Sequence, residues 1–542
     1  MKGFNVFVFV AAVFLNSPFC FGSLVGNEKS QNTKSLWLSG GHDLRNSRNA
    51  WSESKLGARN VSKLEPKWIF TAHGDVTATP AVDEDAVYVP DLGGYLNKID
   101  RRTGQLIWTR AIASYTGSVP GVCVDPLCLI QPVSRSTPAL SGRRLVIGTR
   151  DGYVLGIDKR TGDLLWKTRV DSNPAAMITM SPIIFGNTVY IGISSAEEAL
   201  ALLPGYHCCT FRGSAIALNL KTGAIEWRTY TVPEGYSGGA LWGGPPAVDT
   251  KRNVVYFTTG NNYSVPPEVQ ACVAKAGKDA RLVTACLSPT DYFDSILALD
   301  RHTGKILWGT RLEEFDAWTL TCGVPAFNFP PSGNCPFPDS PDYAFGSGVN
   351  LFTIESQGGE PRDLVGAGQK SGSYWALDAN TGKVVWVTQV GPGGADGGIM
   401  WGSAVDSKRI YVAVANSEKH SYTLQPTGGT INWGAWSALD AKTGKIVWQT
   451  PDPGHSGAVG FVSTANGVVY AASTDPSGYM YALDGSDGSI LWSFPSGGST
   501  ISGAAIVDGT VYWGSGYASL GGTGNNKVYA FRLPGHAEEH DH

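Results

Sequence analysis

One phrase recurs along the chain and limits what it can fold into. It reads LNKIDRRTGQLIW at 96–108, VLGIDKRTGDLLW at 154–166, AIALNLKTGAIEW at 215–227 and ILALDRHTGKILW at 296–308. It returns as YWALDANTGKVVW at 374–386, WSALDAKTGKIVW at 436–448 and MYALDGSDGSILW at 480–492. Each copy is an apolar run ending in Asp or Asn, a turn with Gly, and a second apolar run ending in Trp. The Asp side chain can accept a backbone hydrogen bond in the turn, and Gly supplies positive φ. The phrase therefore predicts a β-hairpin. A second hairpin signal precedes most copies, as in TPALSGRRLVIGT and SPIIFGNTVYIG, which makes four short strands per unit.

Seven copies are complete, and two halves complete the set. LEPKWIF supplies Trp68 without a preceding apolar half, and VYAFRLPG at 528–535 supplies that half without a Trp. Joined, they make an eighth unit. The expectation is an all-β chain, an eight-bladed β-propeller of four-stranded antiparallel blades. Pairing of the N- and C-terminal strands closes the ring and leaves no free edge. A chain of 542 residues is long for one core, but a repeat array adds core unit by unit. Trp68, Trp108, Trp166, Trp308, Trp386, Trp448 and Trp492 are expected to be architectural, packing between blades and capping a neighbour's Thr-Gly turn.

Function is expected where the period breaks. Asn219 to Asp300 and Asp300 to Asp378 are the long gaps. They hold extra segments at 262–292 and 312–348; 112–135 and 196–212 are smaller additions. Propeller insertions map to loops on one face, often the binding face. Only 16% of residues are charged and the net charge is −4, so no basic excess argues for nucleic acid.

Residues 1–22 read as a signal peptide, with one Lys, an apolar run and a small-residue end. Residues 23–40 follow as an N-terminal segment, 41–535 as the propeller and 536–542 as a disordered tail. No later run is apolar enough to span a membrane. A secreted or extracellular protein is expected, or a periplasmic one if bacterial. Removing the leader leaves eight cysteines, an even number that suits disulfides in an oxidising compartment. Connectivity is open. Proximity favours 123–128, 208–209, 272–286 and 322–335, although Cys208 and Cys209 can also pair elsewhere or stay free. Asn60 and Asn262 stand in Asn-x-Ser sequons.

The Ala-Leu-Asp-x-x-Thr-Gly-x-x-x-Trp repeat resembles that of the pyrroloquinoline quinone (PQQ) dependent alcohol dehydrogenases over about residues 40–535. The phrase 208-CCTFRGSAIALN-219 is most similar to the polyvinyl-alcohol dehydrogenase-like branch. The resemblance implies PQQ and Ca²⁺ as cofactors. It implies a Cys208–Cys209 disulfide on one face of the quinone and Trp242, from GGALWGGPPAVD, on the other. Trp401 in GGIMWGSAVD is a second choice. For Ca²⁺ it implies Glu197 or Glu198 of SSAEE, Asn261 of TTGNN, and the quinone itself, hard oxygen ligands all. Lys370 in GQKSG and Arg212 in FRGS are the implied cations beside the quinone oxygens.

The family's base stands last in an Asp-x-Trp-Asp phrase. Here 316-DAWT-319 keeps Asp316 and Trp318 but has Thr319 at that position, and a hydroxyl is a poor base near neutral pH. Asp316, Glu313 or Glu314 is the expected substitute. Two readings follow. One is an oxidoreductase that turns a small or polymeric alcohol into a carbonyl and passes electrons to an external acceptor, since no Cys-x-x-Cys-His haem motif occurs. The other, which Thr319 favours, is a non-catalytic secreted propeller binding a ligand, glycan or protein.

Overall fold

The computed structural model describes residues 36–119, 125, 127–324, 335–337, 340–355 and 358–535. The expected leader (1–22), most of the 23–40 segment, the 536–542 tail and Cys123 of the expected 123–128 pair lie outside the described residues.

Eight four-stranded antiparallel units form the ring, as expected. The first blade is built from Ala81–Val82, Ala86–Pro90, Tyr95–Asp100 and Leu106–Ala111. The next six cover 139–169, 176–230, 247–311, 350–389, 404–451 and 463–495, the second of these with one extra short strand. The last takes Ala505–Val507, Thr510–Gly514 and Lys527–Arg532 from the end of the chain and Glu65–Thr71 from its start. Those two ends pair antiparallel from Glu65↔Arg532 to Thr71↔Lys527.

The repeat does the joining. In the first turn Asp100 Oδ1 accepts bonds from the Arg102 and Thr103 amides and the Thr103 hydroxyl, and Gly104 follows at φ 75°. Asn219 accepts the Lys221 and Thr222 amides in the same way. In the outer strand Leu164–Arg169, Trp166 is buried while Leu164, Leu165 and Lys167 are exposed, and the pairing register shifts between Gly156 and Ile157, opposite Trp166 and Leu164. The tryptophan then lies on the next blade's turn. A Cβ on Gly104 would meet Trp68 at 2.6 Å, and one on Gly304 would meet Trp227 at 2.5 Å; only glycine fits. The indole N–H reaches the same turn: Trp68 donates to Arg101 O at 3.0 Å, Trp166 to Leu220 O at 3.0 Å, and Trp492 to Leu64 O at 3.0 Å across the closure. Trp227, outside the expected set, does likewise with Arg301 O at 3.1 Å. Trp386 packs on Gly444, but its Nε1 is buried without a partner.

No repeat or motif marks residues 37–50 as a plug. Residues 37–50 cross the hub, exchanging backbone bonds with the innermost strands of one blade after another: Val82, Leu140, Val248, Leu351, Val405 and Thr464. Arg48, 0% exposed, anchors it. Its guanidinium donates to Val462 O at 2.7 Å, to Gly40 O, and to the Thr79 and Ser463 hydroxyls at 3.1 Å. The propeller thus begins functionally before residue 41. Asn262 is also buried, with Nδ2 bonded to Asp291, so the folded chain offers no glycan acceptor at that sequon. No described helix is long and apolar enough to cross a membrane.

Candidate active site

The strand Thr188–Ser195 runs into the one-turn helix Glu197–Leu200, which points two adjacent glutamates in different directions. Glu197 turns back. Its carboxylate accepts the Thr210 amide at 2.9 Å, the Phe211 amide at 2.7 Å, and the Thr210 and Tyr206 hydroxyls at 3.1 and 3.2 Å. It is filled by donors and fixes the loop in which Cys208 and Cys209 are joined to each other. Glu198 turns to the hub, where burial pushes its carboxyl up and Lys370 pulls it down, with Asp316 and Asp396 as further charge neighbours. The two glutamates thus have different surroundings, Glu197 the disulfide loop and Glu198 the Lys370 charge.

Lys370 is the hub's ammonium. Its Nζ pairs with Asp342 at 2.8 Å and stands 5.4 Å from the centre of the Trp242 ring. Burial pulls Lys370 down, but Asp342 and Glu198 outweigh it and hold the charge above the ordinary lysine range. Trp242 is half-buried and meets Trp401 edge-on, centroids 5.7 Å apart at 87°. Trp401 is buried, with the Arg135 guanidinium 4.5 Å from its ring and Phe461 at 6.2 Å. Phe461 in turn lies 4.7 Å from Arg48. A line of contacts therefore runs from Arg48 of the plug through Phe461 and Trp401 to Trp242, with Arg135 beside Trp401. Cys209 and Trp242 border one apolar cluster that includes Phe211, Ala240 and Tyr263.

Asn261 is buried, with Nδ2 donating to Asn262 O at 3.0 Å and Trp318 O at 2.9 Å. Its Oδ1 is left as the acceptor end. No group of three or more His, Cys, Asp or Glu is gathered for a metal among the described residues. Glu198 and Asn261 would supply two hard oxygens and leave the remaining positions to a ligand.

Asp316 is 0% exposed; it accepts Ser340 Oγ at 2.9 Å and the Tyr343 amide at 2.6 Å. Thr319 is buried and bonded to Thr321 Oγ1 at 2.6 Å, so no carboxyl occupies the usual base position. Beside Asp316 the half-buried Glu313 is pushed up to about 7, by burial first and by Asp316 second. A cavity of about 300 Å³, lined by Trp318, Ser340, Tyr343, Ala395, Glu418 and His420, opens next to this group.

The repeat-family model described as "Outer membrane protein assembly factor BamB" matches residues 40–122, 67–284 and 434–532. A polyvinylalcohol dehydrogenase of Pseudomonas sp. is 28% identical over 97% of this chain and 81% of its own length. One of Sphingopyxis sp. (strain 113P3) is 29% identical over 90% and 76%. The chain belongs to the PQQ-dependent alcohol dehydrogenase family. Within that family it falls in the polyvinyl-alcohol dehydrogenase branch. The crystal structure of the quinohemoprotein alcohol dehydrogenase from Comamonas testosteroni has the same fold, with a TM-score of 0.68 at 21% identity over 93% of this chain and 81% of that one.

Against the family's pattern, two expected site residues stand elsewhere. Arg212 donates through Nε and Nη2 to Val232 O, at 3.0 and 2.8 Å, and lies 4.2 Å from the Tyr230 ring. Its guanidinium lines a groove of about 580 Å³ between blade outer strands, with Arg228 and Thr303, away from the Lys370 group. Sequence fixes its place on the strand but not its rotamer. Glu314 is exposed; in the short segment 312–316, Glu313 and Asp316 face inward and Glu314 outward. Sequence reasoning missed Arg135, whose guanidinium also reaches Trp242 O at 3.5 Å. Burial, then the nearby Arg150, pull Arg135 down to about 10. An arginine at the inner end of the 112–135 addition, just before a blade hairpin, was the available signal. The expected 272–286 and 322–335 disulfides are present.

Proposed function

We propose that this chain is an exported quinoprotein that oxidises an alcohol to a carbonyl with PQQ and Ca²⁺, and hands electrons to an external acceptor. The observation that carries this is the Lys370 ammonium held 5.4 Å from the Trp242 ring and paired with Asp342. A flat anionic ring laid on Trp242 meets a fixed cation at its edge. The buried, unpartnered Arg135 Nε and Trp401 Nε1 are donors without an acceptor, which fits an anionic group at the hub.

Trp242 and the Cys208–Cys209 plate would hold the quinone on its two faces. Lys370 and Arg135 would face its oxygens, and Glu198 with Asn261 Oδ1 would hold Ca²⁺. Glu197 serves by fixing the plate's loop, and Trp401 by its edge-on contact with Trp242. Bound PQQ supplies the two-electron acceptor for hydride from the alcohol carbon. The chain's own task is the hydroxyl proton. Thr319 cannot take it; Asp316, the buried carboxylate three residues before it, is the candidate acceptor, with the half-buried Glu313 as its charge neighbour. The leader at 1–22 directs export, and polyvinyl alcohol or a smaller alcohol is the substrate class the relatives' names suggest.

The test is reconstitution of the purified protein with PQQ and Ca²⁺. A quinone absorbance shift and alcohol-dependent dye reduction are expected. Absence of any shift overturns the reading. A shift without turnover supports the non-catalytic propeller that Thr319 favours.

A further inference from the structure

We propose that Asp294 and Asp316 form one proton-sharing unit, in which Asp294 keeps the proton and positions the Asp316 carboxylate. The catalytic consequence rests on Asp316 being the proton acceptor of the proposed reaction; the pair itself does not.

Asp294 is 0% exposed, and neither of its carboxyl oxygens receives a hydrogen bond. Its backbone is pinned: the amide donates to Gly260 O at 3.1 Å, the carbonyl accepts the Leu312 amide at 3.0 Å, and φ is 41°. The neighbouring segment is locked to the same turn, since the Asn262 amide donates to Asp316 O at 3.1 Å and Trp318 N to Asn262 O at 2.8 Å. The two side chains meet there. They are not equivalent. Asp316 has the Ser340 hydroxyl and the Asp342 and Tyr343 amides as donors, the environment of an anion. Asp294 has none, and an ionised carboxylate left so would be buried without solvation.

Two carboxyls in contact do not both ionise; one holds a proton and donates it to the other. The charges around Asp294 push the same way. Burial acts first, and Asp316, Glu313 and Asp342 are all carboxyls facing it, while Lys370 faces Asp316. The role proposed for Asp294 is exerted through Asp316.

Asp294→Asn preserves shape and supplies an N–H in place of the O–H. In the unloaded protein, an infrared difference spectrum between wild type and D294N at pH 8 should show a protonated-carboxyl C=O band lost in the variant. A carboxyl raised in the folded state makes the native protein bind more protons than the unfolded chain, so its contribution falls as pH rises above the ordinary aspartate range. The Tm of D294N minus that of wild type should therefore increase from pH 5 to pH 8. No lost band together with a pH-independent Tm difference overturns the pair. If D294N does not fold, D316N gives the reading instead: burial still keeps Asp294 protonated, but its partner is now an amide, so its C=O band should shift in frequency, and a band unmoved by the substitution overturns the pair. With PQQ and Ca²⁺, D294A, which leaves Asp316 without its donor, should lose dye reduction at least about tenfold, D294N, whose N–H replaces the O–H, should recover part of that loss, and D316N should lose at least about a hundredfold. An inactive wild type with the band present would sink the proposed reaction and leave the pair standing.

Discussion

The Phe211 amide donates to Glu197 Oε2 at 2.7 Å, two residues beyond Cys209. That bond makes Glu197 the clamp of the disulfide loop and leaves its neighbour Glu198 to the hub. Adjacent glutamates on a one-turn helix thus do unrelated work, one structural and one facing Lys370.

Exchanging each glutamate for glutamine separates these jobs. Glu197→Gln can keep an oxygen for the Thr210 and Phe211 amides but puts an NH₂ where Oε1 receives the Thr210 and Tyr206 hydroxyls, and removes the charge from the amide bonds; it should lower unfolding stability by about 1–3 kcal/mol, read from denaturant midpoints. Glu198→Gln removes no donor's partner there and should leave the midpoint within about 0.5 kcal/mol, while abolishing Ca²⁺-dependent stabilisation. The opposite pattern would exchange the two roles.

Lys370 and Asp342 make a second pairwise test. Asp342 is 1% exposed, and its Oδ1 already lacks a partner. Lys370→Met leaves a buried carboxylate uncompensated and should cost about 3–5 kcal/mol. Adding Asp342→Asn should recover most of that loss, because removing both charges is often nearly neutral. Equal destabilisation in the single and double variants would mean the ion pair is not what Lys370 contributes to the fold.

The ring was legible because its signals are local. Asp-x-x-Thr-Gly specifies the turn wherever it stands, the Trp recurs at a fixed distance after it, and two half copies at the ends can only complete each other. The Trp-to-Gly contacts follow from that register. The plug was not legible. Its bonds to Val82, Leu140 and Thr464 are made by main chain, which leaves no side-chain pattern. Arg212 and Arg135 show the remaining gap: a strand position says which end of a blade a residue occupies, while only packing decides whether a long cation turns toward Val232 or toward Trp401. Asp294 stands one residue before the strand Ser295–Asp300 with no local signal of its own, and the segment it packs against, 312–318, is distant in the sequence.

The plug can be tested at Arg48. Its side chain satisfies two buried carbonyls and two buried hydroxyls. Arg48→Met keeps much of the volume but leaves these acceptors unpaired, at an expected loss of about 3–5 kcal/mol. Calorimetry should show one cooperative transition at lower temperature if plug and ring melt together. A second, earlier transition would show that the plug unfolds by itself.

Glu313 gives the pH dependence a defined sign. Burial, then Asp316, raise its carboxyl to about 7, with Gln369 pulling it back. Between the ordinary glutamate value and about 7 the folded chain binds the extra proton, so this group's contribution to stability is full below that window and declines as pH rises through it. The Tm difference between Glu313→Gln and wild type should therefore grow from pH 5 to pH 7 and level off above. In the loaded protein, ionised Glu313 is the form able to receive a proton from Asp316, so kcat/KM should rise with pH through about 7. That limb should vanish in Glu313→Gln. Should it persist unchanged in the variant, the proton leaves by another carboxyl, and Asp396, one of the raised carboxyls beside Lys370, is the next to substitute.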